Sequence, residues 1–246
     1  MRNIRLTIEY DGKEFNGWQK QPNKLNIQGN LEKVISDLTK EEIEIIGSGR
    51  TDAGVHALGQ VANFKTNSNI PIEKFAIAIN SRIKQSIRVK KAEEVDERFH
   101  SRYNCKRKTY RYIINTSETG SAIYRNLEYN IKMQLDVKKM QEAVKFFVGE
   151  HDFSAFKSSG TSSKSSVRTI YNAKVEQDGE RIIIELTGNG FLYNMVRIIS
   201  GTLVEVGLNK IKPEDITKII ESKNRQNAGK TLPPCGLYLV SVEYEK

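Results

Sequence analysis

Apolar residues take alternate positions at the start of the chain, where Ile4, Leu6, Ile8 and Tyr10 are separated by Arg5, Thr7 and Glu9. A period of two predicts a strand with one buried face. The period then lengthens: Ile27, Leu31, Val34, Ile35 and Leu38 recur at helical spacing and form one apolar stripe. Short strands are predicted at 43–46 and 60–66. Pro71 suits the first turn of a helix whose inner face is Ile72, Phe75, Ala76, Ile79 and Ile83. Residues 87–95 close this half as a strand.

The second half runs in a similar order. The segment 110–114 is apolar or aromatic on both faces, as in a buried strand. Asp136 is placed to cap a helix carrying Val137, Met140, Val144, Phe147 and Val148, and Gly149 stops it. Runs at 169–176 and 181–187 flank Gln177-Asp178-Gly179-Glu180, where Asp-Gly predicts a hairpin. An apolar helix around 191–206, a short helix opened by Pro213 and a strand at 236–244 follow. These elements imply an α+β protein of two similar domains, 1–104 and 105–246, each a largely antiparallel sheet flanked by helices. Such sheets leave one face uncovered, and a cleft between two of them suits an extended polyanion.

Charge strengthens that expectation. Lys and Arg number 39 against 30 Asp and Glu, a surplus of +9 that favours polyanionic partners through long-range attraction. Part of it lies among aromatics: Arg98, His100, Arg102, Lys106, Arg107, Lys108 and Arg111 interleave with Phe99, Tyr103, Tyr110 and Tyr112. Such a mixture serves nucleic-acid strands by charge and stacking together. A Ser-rich stretch at 157–168 carries Lys157, Lys164 and Arg168, and reads either as a second basic surface or as a flexible linker. No apolar run approaches the roughly 20 residues of a membrane span. The polar–apolar alternation at the N-terminus lacks the apolar block of a signal peptide. With two separated cysteines, Cys105 and Cys235, the chain reads as a reduced cytoplasmic protein without a zinc site.

The segment GSGRTDAGVHALGQ, 47–60, carries the candidate chemistry. It is not a Walker loop, and its glycines at 47, 49 and 54 miss the dinucleotide fingerprint. No Gly-x-Ser-x-Gly elbow occurs, and His56, His100 and His151 lack ligand spacing, so each reads as a polar or hydrogen-bonded surface residue. What remains is Asp52 on a Gly-rich turn. It is either an Asx-turn residue bonded to its own backbone or a carboxylate held for covalent chemistry. Turn chemistry by itself accounts for the Asp and the glycines.

Arg50-Thr51-Asp52-Ala53-Gly54-Val55-His56-Ala57 resembles the signature of the TruA family of tRNA pseudouridine synthases. Further blocks agree in order: Tyr10-Asp11-Gly12 with Phe15-Asn16-Gly17-Trp18-Gln19-Lys20-Gln21, then Phe99-His100-Ser101-Arg102 and Lys108-Thr109-Tyr110-Arg111-Tyr112. His151-Asp152-Phe153-Ser154-Ala155-Phe156, Gly190-Phe191-Leu192-Tyr193-Asn194-Met195-Val196-Arg197 and Pro233-Pro234-Cys235-Gly236-Leu237 complete the set.

The resemblance implies isomerisation of uridine to pseudouridine at positions 38, 39 and 40 in the anticodon stem-loop of tRNA, with no cofactor and no metal. Asp52 matches the family's essential aspartate, either attacking C1′ or removing the 2′ proton. Arg197 matches its cationic partner. An arginine among Phe191, Leu192, Met195, Val196 and Ile198 is costly to bury unpaired, so an ion pair with an acid is expected in preference to a snorkelling side chain. Tyr110 matches the active-site tyrosine, which stacks on the uracil and takes the C5 proton. The resemblance assigns Arg50 to displacing the target base and Leu237 to an apolar wall beside it; Cys235, between Pro234 and Gly236, departs from the family pattern and is read as variable and non-catalytic. It also implies a homodimer in which one tRNA touches both subunits.

Overall fold

The computed structural model describes residues 1–160 and 165–245, so residues 161–164 of the Ser-rich stretch lie outside the described residues. The chain divides into two compact units, Met1–Lys106 with Tyr238–Lys246, and Arg107–Leu237. Ten strands, paired mostly antiparallel, and five α-helices make up the described residues.

In the first unit, strand β1 (Arg2–Tyr10) is followed by helix α1 (Ile27–Thr39), β2 (Ile46–Gly47), β3 (His56–Thr66), α2 (Ile72–Asn80) and β4 (Ile87–Val95). β1 lies between β3 and β4, antiparallel to both. Its alternation is physical: Ile4, Leu6 and Ile8 are fully buried. Ile4 stands opposite Phe64, whose ring meets Phe75 of α2 edge-on at 5.9 Å. The helices therefore cover that face. Asn26 caps α1 by accepting from the Gly29 amide at 2.8 Å, and Lys40 ends it in the left-handed conformation.

Two strand expectations shift. β3 starts at His56 rather than 60, because it is buried on both faces over most of its length and shows no alternation. Of 43–46 only Ile46 enters a ladder. Ile43 and Ile45 are buried, but their amides go to Ser36 Oγ and Glu32 Oε1 of α1. Burial made that stretch apolar; strand pairing did not.

The second unit is built from β5 (Cys105–Asn115) from Arg107 onward, β6 (Tyr129–Asn130), α3 (Val137–Ala143), β7 (Gly149–Asp152), β8 (Val167–Asp178), β9 (Arg181–Gly188), α4 (Met195–Gly207) and α5 (Asp215–Ser222). β5, β9, β8 and β7 pair antiparallel in that order, and β6 runs parallel to β5. Asp136 caps α3 as its sequence suggests, and a 3-10 turn at Val144–Phe147 carries the remaining apolar residues to Gly149. The β8–β9 hairpin closes between Asp178 and Arg181, with Gly179 at φ +58°. α4 is buried along nearly its whole length. The last strand, β10 (Leu237–Tyr244), runs parallel to β3, with Tyr238 opposite His56 and Leu239 opposite Ala57, so the first unit is completed by the end of the chain.

Candidate active site

Asp52 and Arg50 belong to the first unit, and Tyr110, Arg197 and Leu237 to the second. Around Asp52 the backbone forms a tight turn between β2 and β3. The Val55 amide donates to the Asp52 carbonyl at 3.1 Å, and Gly54 takes φ +77°. Arg50 is exposed, Thr51 buried and Asp52 half-buried.

The turn is locked from outside by the segment 10–18. Trp18 N–H donates to the Thr51 carbonyl at 3.0 Å, and Gly54 N–H to the Phe15 carbonyl at 3.3 Å. Gly17, at φ +83°, lies so close that a Cβ there would sit 2.4 Å from the Thr51 oxygen. At Gly12 a Cβ would sit 2.0 Å from the Val55 oxygen. Only glycine allows backbones to approach this closely. The two glycine-bearing blocks are therefore two sides of one contact.

Buried polar groups complete the brace. The hydroxyls of Tyr10 and Thr51 share a hydrogen bond of 2.8 Å. Burial pushes the Tyr10 phenol well above its ordinary pKa, so it stays neutral and able to donate. Gln60 Oε1 accepts from Ser48 Oγ at 2.6 Å, and its Nε2 donates to the Gly49 carbonyl at 3.1 Å. Arg50 Nε donates to Gln19 Oε1 at 2.9 Å, which ties it to the same neighbouring block.

His56 corrects the sequence reading, for it is 1% exposed and not a surface residue. Its Nδ1 lies 3.1 Å from both the Gly12 amide and the Asp11 carboxylate, and its ring stacks on Tyr238 at 4.9 Å. It pins the loop after β1 to the start of β3. The contributions of Tyr10, Thr51, His56 and Gln60 escape periodicity, because strand alternation does not say where a hydroxyl or amide is aimed. Gly12 and Gly17 are the signal that was available, since isolated glycines mark close backbone approach.

In the second unit Tyr110 stands on β5 opposite Leu186, 9% exposed, with its ring edge-on to Phe191 at 5.1 Å. Beside it, the Tyr112 hydroxyl donates to the Pro233 carbonyl at 2.7 Å. A Cβ on Gly236 would lie 2.7 Å from the Ile113 oxygen, so the segment Pro233–Leu237 rests directly on β5. Leu237 is buried there. Burial raises the Cys235 thiol pKa and keeps it protonated; its Sγ donates to the Glu128 carbonyl at 3.6 Å.

Arg197 lies in the first turn of α4 and is half-buried. Its Nε donates to the Leu232 carbonyl at 2.6 Å and one Nη to Asn194 Oδ1 at 2.7 Å. Asn194 is itself fixed, at φ +62° and with Nδ2 donating to Ser158 Oγ at 2.9 Å. Two neutral oxygens thus set the plane of the guanidinium. The His151–Phe156 block is architectural: Asp152 accepts from the amide and hydroxyl of Ser154 and pairs with Lys223 at 3.1 Å. The Ser154 hydroxyl bond is the main reason its carboxyl pKa is lowered.

Among the described residues no three His, Cys, Asp or Glu side chains are grouped to hold a metal ion, and no helix is long and apolar enough to cross a membrane. A family model described as tRNA pseudouridine synthase matches residues 6–104 and 143–245. A tRNA pseudouridine synthase A of Caldicellulosiruptor bescii is 54% identical over 244 residues, covering 99% of this chain and 100% of that protein. The tRNA pseudouridine synthase A of Acetivibrio thermocellus is 52% identical over 244 residues, with the same two coverages of 99% and 100%. Clostridium perfringens has a tRNA pseudouridine synthase A 2 that is 52% identical over 244 residues, again 99% of this chain and 100% of the relative. Glycine contacts, the braced Asp52 turn and likeness along the whole chain lead to one conclusion: this chain belongs to the tRNA pseudouridine synthase family.

Proposed function

We propose that the protein isomerises uridine to pseudouridine at positions 38, 39 and 40 of the tRNA anticodon stem-loop, with Asp52 as the essential carboxylate. The observation that carries the reading is the Asp52 turn. Its backbone is fixed by Trp18 and by the close approach of Gly17, so the carboxylate is presented without a reorganisation cost at the moment of reaction.

In the reaction the N1–C1′ bond breaks, the uracil turns within the site, and C5 bonds to C1′; the proton lost from C5 is matched by one gained at N1. Asp52 acts on the sugar, at C1′ or at the 2′ position. Arg197 supplies the cation that favours the ionised carboxylate, since a nearby arginine lowers a carboxylate pKa by about 1–3 units. Its guanidinium is suited to this, being held in plane by Leu232 and Asn194. Tyr110 stacks on the uracil and accepts the C5 proton, Arg50 displaces the target base, and Leu237 walls the base pocket. The two compact units act as the two α+β domains, and the enzyme works in the cytoplasm as a homodimer on tRNA.

The test is direct. Purified protein is incubated with unmodified tRNA transcripts, and pseudouridine is mapped by reverse-transcription stops after carbodiimide treatment. Stops confined to positions 38–40 are expected; stops elsewhere in the tRNA, or none, contradict the reading.

A further inference from the structure

The face of the first unit's sheet turned away from α1 and α2 is crossed by the loop at 96–104. Asn3 and Asn63, which alternate with the helix-facing Ile4 and Phe64, hold it there. Asn3 Nδ2 donates to the carbonyls of Asp96 and Phe99 at 2.9 Å each. Asn63 Oδ1 accepts from the amide and hydroxyl of Ser101 at 2.9 and 2.7 Å. Tyr244 donates to the Ser101 carbonyl at 2.8 Å, and the Arg5 guanidinium lies 5.5 Å from the Phe99 ring centre.

The end of this loop is equally well tied. His100 N–H donates to Asn104 Oδ1 at 2.6 Å and accepts at its carbonyl from Asn104 N–H at 3.0 Å. His100 Nδ1 accepts from the amides of Arg102 and Tyr103, both at 3.2 Å. The result is a rigid turn that holds Tyr103 outward. Tyr103 is 76% exposed, yet its ring rests on His100 at 4.2 Å and lies 5.9 Å from the Arg102 guanidinium.

A tied turn that leaves a large aromatic in water contributes little to the core. It does prepare a flat surface whose ordering cost is already met, as stacking on a partner requires. The surrounding charge indicates which partner. Glu97 pairs with Lys65 at 3.8 Å and Glu245 with Lys106 at 2.8 Å. Arg98 and Arg102 are exposed, and among the described residues neither comes within 4.0 Å of a carboxylate. Arg98 and His100 line a cleft that also holds Lys65 and the carboxylates Glu41, Glu42, Glu44 and Glu97; these carboxylates oppose phosphate, so the cleft itself does not suit an anionic strand, and the exposed Arg98 and Arg102 remain to meet one.

We infer that Tyr103, backed by His100 and adjoined by Arg102, is a stacking platform for an unpaired nucleobase of the RNA substrate. This rests on the reading of tRNA as substrate. A base stacks on the open part of the Tyr103 ring, and Arg98 and Arg102 meet the adjoining phosphates. Stacking of this kind is tolerant of base identity and salt-sensitive through its phosphate contacts.

The test compares tRNA binding and pseudouridine formation in wild type, Tyr103→Ala, Tyr103→Phe and Arg98→Gln. Tyr103→Ala is expected to weaken tRNA binding by about 5- to 150-fold, with the loss seen in KM and not in kcat. Tyr103→Phe keeps the ring and stays close to wild type. Arg98→Gln lowers the slope of log affinity against log salt by about 1. Tyr103→Ala with unaltered tRNA affinity overturns the inference, as does Tyr103→Phe that is as weak as Tyr103→Ala. So does a Tyr103→Ala protein whose sedimentation shows a changed oligomer, which would make the ring an interface between copies of the chain. Wild-type protein that forms no pseudouridine in tRNA counts against the proposed function itself; wild-type activity with an indifferent Tyr103 removes only this inference.

Discussion

Asp52 and Arg197 are held in place by different means. The Asp52 turn is fixed by main chain against main chain: the Trp18 amide on the Thr51 carbonyl, and Gly17 against the same oxygen with no room for a Cβ. Arg197 hangs on an ordinary helical turn, and its guanidinium is set by the Leu232 carbonyl and the Asn194 side chain. The first arrangement cannot relax by rotating a side chain; the second can. Changes under Asp52 should therefore cost more than comparable changes around Arg197.

The largest effect expected short of Asp52 itself is at Tyr110. Tyr110→Phe keeps the ring on Phe191 and removes only the hydroxyl. If that hydroxyl takes the C5 proton, single-turnover rates fall by about 10²- to 10⁴-fold with the thermal midpoint unchanged. A fall of only a few-fold leaves Tyr110 as a stacking residue.

Gly17→Ala comes next. Strain at φ +83° and a Cβ 2.4 Å from the Thr51 oxygen displace the turn, and a displacement near 1 Å costs about 10²-fold in kcat. Steady-state kinetics with a folded, tRNA-binding variant checks it; wild-type kcat would remove the main-chain lock from the account.

On the other side of the comparison, Asn194→Gly retains the positive φ while deleting the oxygen that Arg197 uses. Because the Leu232 carbonyl remains, kcat is expected to fall by only about tenfold, the scale of one hydrogen bond to a charged group. A loss as complete as that of Gly17→Ala would erase the distinction between the two sites.

The smallest effect is at Thr51→Val, which takes the Tyr10 hydroxyl's partner away inside the brace. Gln60 stays near the phenol, so urea denaturation should show a stability loss of about 1 kcal/mol. No change in stability would mean that this hydrogen bond does not support the turn.

Sequence periodicity reported the parts of this fold that bury one face. Ile4, Leu6 and Ile8 alternate because α2 and α1 cover one side of β1 and not the other, and 87–95 is a strand to the residue. It did not mark the start of β3, a strand buried on both faces over most of its length, nor an element too short to show a period, as β6 is. Nor could it pair Tyr238 with His56, since a parallel ladder between opposite ends of the chain leaves no local trace. Asp52 was visible as a turn residue from its glycines, but turn and active site use the same residue types, and only the resemblance separated them. The brace under it leaves no mark on the periodicity, because Tyr10 serves both as an inward residue of β1 and as a hydroxyl donor, and alternation records only the first.

The most direct measurement is tritium release from tRNA carrying C5-labelled uridine, with tRNA affinity measured on the same preparations of wild type and Asp52→Asn. Wild type is expected to release tritium, Asp52→Asn to release it about 10⁴-fold or more slowly, and tRNA affinity to stay within about threefold. Asp52→Asn that releases tritium at close to the wild-type rate would contradict Asp52 as the essential carboxylate.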